Sequence, residues 1–235
     1  AALQLNTSIA PFNNIKAREA VYYALNPAQL NKVITGGVGK ISQSGDGPGS
    51  LFPIPKVPGY RTFNLAKAKA LVKQLGGLSF HITGFAINPT VAEAEQAEFA
   101  QAGMNVKIDT VNLAQLVAAF DHNSWQITGG GAGGLDPAIG VGGMTWRVQS
   151  NAPFTGIHDK NLDKMIAQGA STTNYDTRLS IYKQIYKYMS DHALMPFLYA
   201  GPLWNISSIK AQGPGLSTPM YNNYLIQWPD IWLKS

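Results

Sequence analysis

Residues 78–111 read LSFHITGFAINPTVAEAEQAEFAQAGMNVKIDTV, and the fold turns on them. "LSFHITGFAI" and "NVKIDTV" are short runs rich in β-branched and aromatic residues, the composition of strands. Between them, "PTVAEAEQAEFAQA" (89–102) is a run of helix formers closed by Gly103. A strand, a helix and a strand with short joints make a βαβ unit, so the two strands are expected to be parallel. "LAQLVAAFDH" (113–122) and "SWQITGG" (124–130) add a second helix and strand of the same kind. The chain therefore reads as α/β.

The flanks supply more helices. "NNIKAREAVYYAL" places Ile15, Ala20, Val21, Ala24 and Leu25 near one face at helical spacing. Asn26 and Pro27 start the next helix as cap and first-turn residue, and Gly36 and Gly37 end it. Residues 42–61 are too rich in Gly and Pro for a helix or central strand and predict a long ordered surface loop. Asn64 caps a helix whose stripe is Leu65, Ala68, Leu71, Val72 and Leu75, with Gly76 as its stop. Two late helices carry Leu162, Met165 and Ile166, then Leu179, Tyr182, Ile185, Tyr186 and Met189. "PFLYAGPLW" predicts a strand, and the aromatic, Pro-rich tail after it shows no periodicity.

The 235 residues are 45% hydrophobic and 13% charged, a globular composition. No apolar run approaches the roughly 20 residues of a membrane span. The opening "AALQLNTSIAPF" lacks the ordered regions of a signal peptide and reads as mid-protein, so any export signal is expected upstream. Cysteine is absent, which excludes disulfides, thiolate metal sites and cysteine nucleophiles. The formal charge of +5 comes from scattered helix-face lysines such as Lys67, Lys69, Lys73, Lys183 and Lys187, so nucleic acid is not expected as a partner.

At the carboxyl end of the third strand lies "ITGGGAGGLDPAIGVGG" (127–143). It lacks the Lys-Ser/Thr of a phosphate loop, and Pro137 denies it the clean helix start of a dinucleotide motif. Carboxyl strand ends are where open α/β sheets bind ligands. Glycines there would let a ligand approach the backbone, although a plain flexible turn fits too. Trp146-Arg147 follows closely, and an aromatic beside a guanidinium suits stacking and pairing with a ligand, or simple packing. No two of His81, His122, His158 and His192 stand three or four residues apart, so no metal site is expected. There is no nucleophile elbow and no paired carboxylates. Neither an enzyme nor a bound cofactor is expected.

"LNTSIAPFNNIKAREAVYYALN" resembles the mid-chain signature of family 5 extracellular solute-binding proteins, the peptide, nickel and oligosaccharide receptors of ABC importers. Asn6, Thr7, Pro11, Phe12, Asn13, Asn14, Ile15, Lys16, Arg18 and Ala20 carry the match. "GGVGKISQSGDGP", "NLAKAKALVKQLG", "FAQAGMNVKIDTVNLAQLVA" and "NLDKMIAQGASTTNYDTRLSIYKQIYKYMSDHALMPFLY" resemble later family segments. The resemblance implies a type II periplasmic-binding-protein-like fold, with a mixed sheet flanked by helices. It implies that residues 1–200 are the C-terminal lobe of a two-lobe receptor, with 201–235 a tail returning toward the N-terminal lobe. The glycine run falls at the family's ligand loop, where Asp136-Pro137 matches the end of its "D-x-x-D-P" pattern. The Asp that holds a peptide's ammonium in peptide-binding members is Gly133 here.

The expected ligand contacts are Phe85, Gly130, Gly131, Gly133, Asp136 and Trp146, with Asn6 near a hinge. The implied partners are a small-molecule solute (peptide, sugar or other), the N-terminal lobe and the permease subunits, in the periplasm or lipid-anchored outside the cell. A lobe without its partner could also form a homodimer. The other reading is a standalone protein-interaction module derived from such a lobe.

Overall fold

In the computed structural model, residues 1–85, 89–130, 136–138, 147–152, 155–201, 208–214 and 231–234 are described. Strand β1 (Ala2–Leu5) is followed by α1 (Ile15–Ala24), α2 (Pro27–Thr35), β2 (Lys40–Ile41) and α3 (Leu65–Gln74). Then come β3 (Ser79–Phe85), α4 (Pro89–Gln101), β4 (Asn105–Val111), α5 (Leu113–Asp121) and β5 (Ile127–Gly130). Helices α6 (Lys160–Ser171) and α7 (Tyr175–Asp191) precede the short strands β6 (Tyr199–Ala200), β7 (Ala211–Gln212) and β8 (Trp232–Leu233).

The main sheet has the order β1-β5-β3-β4. β3 lies parallel to both β4 and β5, as the two strand-helix-strand units predict. β1 pairs antiparallel with β5, which makes the sheet mixed. β1 carries no periodic signal in the sequence, since four residues are too few to show one. "PFLYAGPLW" shrinks to the two residues of β6 within the described part, and β6 pairs with β2.

Register gives the sheet two unlike faces. Leu5, Ile127, Ile82 and Ile108 stand side by side across four strands. One position along, Gln4, Thr128, Thr83 and Asp109 stand side by side on the other face. Leu5, Ile127 and Ile82 are fully buried and join Phe12, Val21, Ala68, Phe80 and Phe99 in the larger core. Burial of each such side chain is worth about 1.5–3 kcal/mol. Gln4, Thr83 and Thr128 are buried as well, so they need hydrogen-bond partners. Thr128 Oγ1 donates to the Thr83 carbonyl at 3.0 Å. Gln4 reaches residue 147 from two sides: its Nε2 donates to the Arg147 carbonyl at 3.2 Å, and its Oε1 accepts from Arg147 Nη1 at 3.3 Å.

Side-chain caps start the helices. Asn14, Asn26, Asn64, Asn112 and Asn174 each accept from a backbone N–H of the first turn. Gly36 ends α2 in the left-handed region at φ 68°. Ile15, expected on the buried stripe of α1, is exposed, while Ala20, Val21 and Ala24 are buried. A second core joins α6 and α7 to Phe52, Ile54 and Val57 of the 42–61 loop, which explains how so Gly- and Pro-rich a stretch is ordered.

Candidate functional site

β3 and β5 pair at only two register positions, Ile82 with Ile127 and Thr83 with Thr128. Beyond them a cavity of about 260 Å³ opens at the carboxyl end of the sheet. Thr83, Gly84, Glu95, Phe120, Thr128 and Arg147 are among its lining residues. α4 leaves β3 on one side and α5 supplies the other wall, the arrangement that makes a crevice at the switch point of an open α/β sheet. Glycine at 84 keeps this wall close-packed: a Cβ there would lie 3.2 Å from both Ala92 Cβ and Ile108 Cγ2, and each neighbour would have to give by a few tenths of an ångström. At Gly129 a Cβ would meet nothing within 4 Å, so that strand end borders open space.

Two ionisable side chains line the crevice. Glu95 is 2% exposed, and its Oε2 has no hydrogen-bond partner. Burial pushes its carboxyl up to about 8, so it is mostly neutral at pH 7. Arg147 is held through Nη1 by Gln4, while its buried Nε has no partner. Burial lowers the guanidinium from its ordinary value, yet a guanidinium stays charged in any protein setting. The crevice thus offers a fixed cation, a neutral carboxyl and two threonines. No histidine is among its described lining residues.

The sequence-predicted residues fall around this crevice unevenly. Gly130 ends β5 opposite Ala2, and Phe85 ends β3 opposite Val111, both at the crevice edge of the sheet. Gly131, Gly133 and Trp146 lie outside the described residues. Asp136 is turned away from solvent: its carboxylate accepts from Ala138 N at 2.9 Å and forms an ion pair with Arg178 at 2.9 Å. Tyr182 Oη also donates to it, at 3.3 Å. Asp136 therefore shapes its loop and anchors it to α7.

Asn6 lies at the other end of the sheet, where its backbone N–H donates to the Gln126 carbonyl. Its side chain donates to the Trp125 carbonyl at 2.8 Å and to Asn123 at 2.6 Å, and accepts from Ser8. A Cβ on Gly156 would sit 2.5 Å from Asn6 Cα, so glycine lets this crossing close up. Sequence reasoning missed Gln4, Thr83, Glu95 and Thr128. The alternation of Thr83 and Thr128 with isoleucines was a usable signal; Glu95, in an Ala- and Glu-rich helix, gave none. His81 pairs with Asp109 at 2.8 Å on the half-exposed strand face, and no group of three potential metal ligands occurs among the described residues.

A second cavity, about 210 Å³, is lined by Tyr22, Leu25, Ile41, Tyr60, Phe63 and Phe197 among others. Tyr60 Oη both donates to the Phe197 carbonyl and accepts from Phe197 N, and Arg61 is bonded to Glu19. It is largely apolar, and these polar groups are already paired.

The family model described as "Bacterial extracellular solute-binding proteins, family 5 Middle" matches residues 1–142. The dipeptide-binding protein of Escherichia coli K12 is 25% identical over 211 residues, spanning 81% of this chain and 38% of that protein. The nickel-binding periplasmic protein of the same organism is 28% identical over 236 residues, spanning 84% of this chain and 42% of that protein. The chain thus spans about two fifths of the curated relatives it matches. Among solved structures, the dipeptide-binding protein of a Pseudoalteromonas species in complex with Met-Leu superposes with TM-score 0.82 at 19% identity, over 99% of this chain and 48% of that one. The oligopeptide-binding protein AppA of Bacillus subtilis, in complex with a nonapeptide, gives TM-score 0.79 at 16% identity, over 100% of this chain and 50% of that one. Those structures share the fold.

Proposed function

The chain belongs to family 5 of the bacterial extracellular solute-binding proteins, and we propose that it forms one ligand-binding lobe of the receptor of an ABC importer. Its task on this reading is capture rather than catalysis. Two lobes close on a solute, the solute binds the closed form better, and the closed form is delivered to the permease. The crevice at the carboxyl ends of β3 and β5 is the observation that carries the proposal. It combines the position expected of a ligand site with polar atoms that the chain itself leaves unpaired.

α5 supports a second lobe over the same edge. Leu116 and Phe120 of α5 line the crevice, while Leu113 and Val117 on the same helix are 63% and 37% exposed. An opposing lobe would cover them. The same exposed residues favour the other reading, a protein-interaction module or homodimer that uses this face. Phe85, Gly130, Gly131, Gly133 and Trp146 remain the proposed ligand wall, Asp136 its anchor, and Asn6 a pivot at the base of β1. The receptor would work outside the cytoplasmic membrane, periplasmic or lipid-anchored.

One wall of a cleft holds a solute weakly. Calorimetry of this chain with Met-Leu is expected to give millimolar affinity or none, about −4 kcal/mol at best. Submicromolar binding by the chain alone would overturn the two-lobe reading. Native mass spectrometry of the full-length product of the reading frame should show a co-purifying small solute. A full-length protein that carries none and closes on none of the peptides, metal chelates and sugars offered to it would sink the proposal.

A further inference from the structure

We infer that the crevice holds an oxyanion of the solute, a carboxylate or a phosphate group, on the guanidinium of Arg147. The inference rests on the crevice being the ligand site, and it names the chemistry of what enters.

Arg147 is a largely buried cation with no counter-ion among the described residues. Its Nη1 bonds the neutral amide of Gln4 at 3.3 Å, its Nε is unpaired, and none of the ion pairs among the described residues includes it. Glu95 lines the same crevice, but no hydrogen bond or ion pair joins it to Arg147, and its Oε2 is itself unpaired. Outside the described residues, carboxylates are carried by Asp230 and by the chain terminus at Ser235. A buried charge left unpaired costs several kcal/mol, so a crevice that keeps one is built for a partner of opposite sign. Gln4 holds it in place. It is fully buried in β1 and grips residue 147 by both carbonyl and guanidinium, so the cation is fixed before the solute arrives.

The other groups agree with an anion and not with an ammonium. A solute ammonium needs a carboxylate, and burial pushes Glu95, the one carboxyl among the described lining residues, up to about 8. Protonated Glu95 can instead donate a hydrogen bond to the anion.

The test follows the Arg147 Nε–Hε signal by NMR, assigned through its loss in Arg147→Gln. The chain is titrated with succinate, with inorganic phosphate, with alaninamide as a cation and with a neutral disaccharide. Succinate or phosphate should shift the signal saturably, and the tighter of the two identifies the oxyanion. Arg147→Gln should weaken that binding about tenfold or more, the scale of one charge-assisted contact, and Arg147→Lys should weaken it less. Circular dichroism of both variants checks that they fold. If alaninamide or the sugar perturbs Thr128 and Glu95 while both anions do nothing, the inference fails and the solute-binding reading stands. If no solute perturbs the crevice at all, both fail. If Asp230→Asn, or extension of the chain past Ser235, moves the Arg147 signal before any solute is added, a tail carboxylate is the counter-ion and the inference is overturned.

Discussion

Asp136 with Arg178, and Glu95 with Arg147, are the same functional groups in buried settings, and they have opposite fates. At α7 the groups meet: Arg178 pairs with both oxygens of Asp136, and Tyr182 adds a third contact. Nearby, the buried carboxyl of Asp46 accepts from Tyr186 and from Ser50. In the crevice the groups stay apart, each with a polar atom unpaired. A closed network fixes structure, here by tying the 42–61 loop and the 136–138 turn to one helix. An open pair raises the energy of the unliganded chain and leaves that energy for a ligand to recover.

The comparison breaks most visibly at Arg178. Arg178→Ala strands the Asp136 carboxylate in the interior and should cost about 3–5 kcal/mol in urea denaturation. A loss below about 1 kcal/mol would mean that the α7 network is no more closed than the crevice.

Glu95→Gln tests the other side, and its sign is opposite. The folded carboxyl keeps its proton to about 8, while the unfolded chain releases it near 4.5. The folded state therefore binds more protons between these values, and stability falls as pH rises through that window. Glu95→Gln should remove that fall and raise stability at pH 8 by about 4 kcal/mol, with little change at pH 4. Urea midpoints at the two pH values measure it, and an unchanged pH dependence would show Glu95 to be solvated. Asp46, pushed by burial from 3.8 to about 7, contributes the same sign over the lower part of the range and should persist in the variant.

Tyr186→Phe sharpens the comparison more gently. It removes one of the two side-chain donors to the Asp46 carboxyl and should cost about 1–2 kcal/mol, more at pH 8 than at pH 5. Lys187→Ala removes an exposed pair with Asp191 on the same helix and should change stability by less than about 0.5 kcal/mol. A larger effect there would mean that exposure does not separate structural from incidental pairs in this chain.

Much of the fold was legible. The strand, helix, strand order of 78–111 predicted parallel β3 and β4, and Asn26, Asn64, Gly36 and Gly76 marked helix ends where the structure has them. Asp136 was legible as part of the loop at the sheet edge, through its match to the family's Asp-Pro pattern, and was expected there as a ligand contact. That its carboxylate would be consumed by Arg178, 42 residues on, was not. Nor was β1, whose buried "ALQL" has neither the length nor the alternation that marks a strand. Arg147 stood out beside the glycine run, but nothing near it in the chain announced Gln4 as its holder.

The sequence by itself determined the local elements, the parallel pairing and the carboxyl strand edge at which the glycine run begins. Caps and periodicities act within one or two turns of backbone, so neighbouring residues suffice to state them. Only the tertiary structure decided which buried charges are closed and which are left open. Gln4 and Arg147 are 143 residues apart, and Glu95 and Thr128 lie on elements that meet only when the sheet forms. Whether a buried polar atom finds a partner depends on what folding brings within about 3 Å of it, which is a property of the assembled interior.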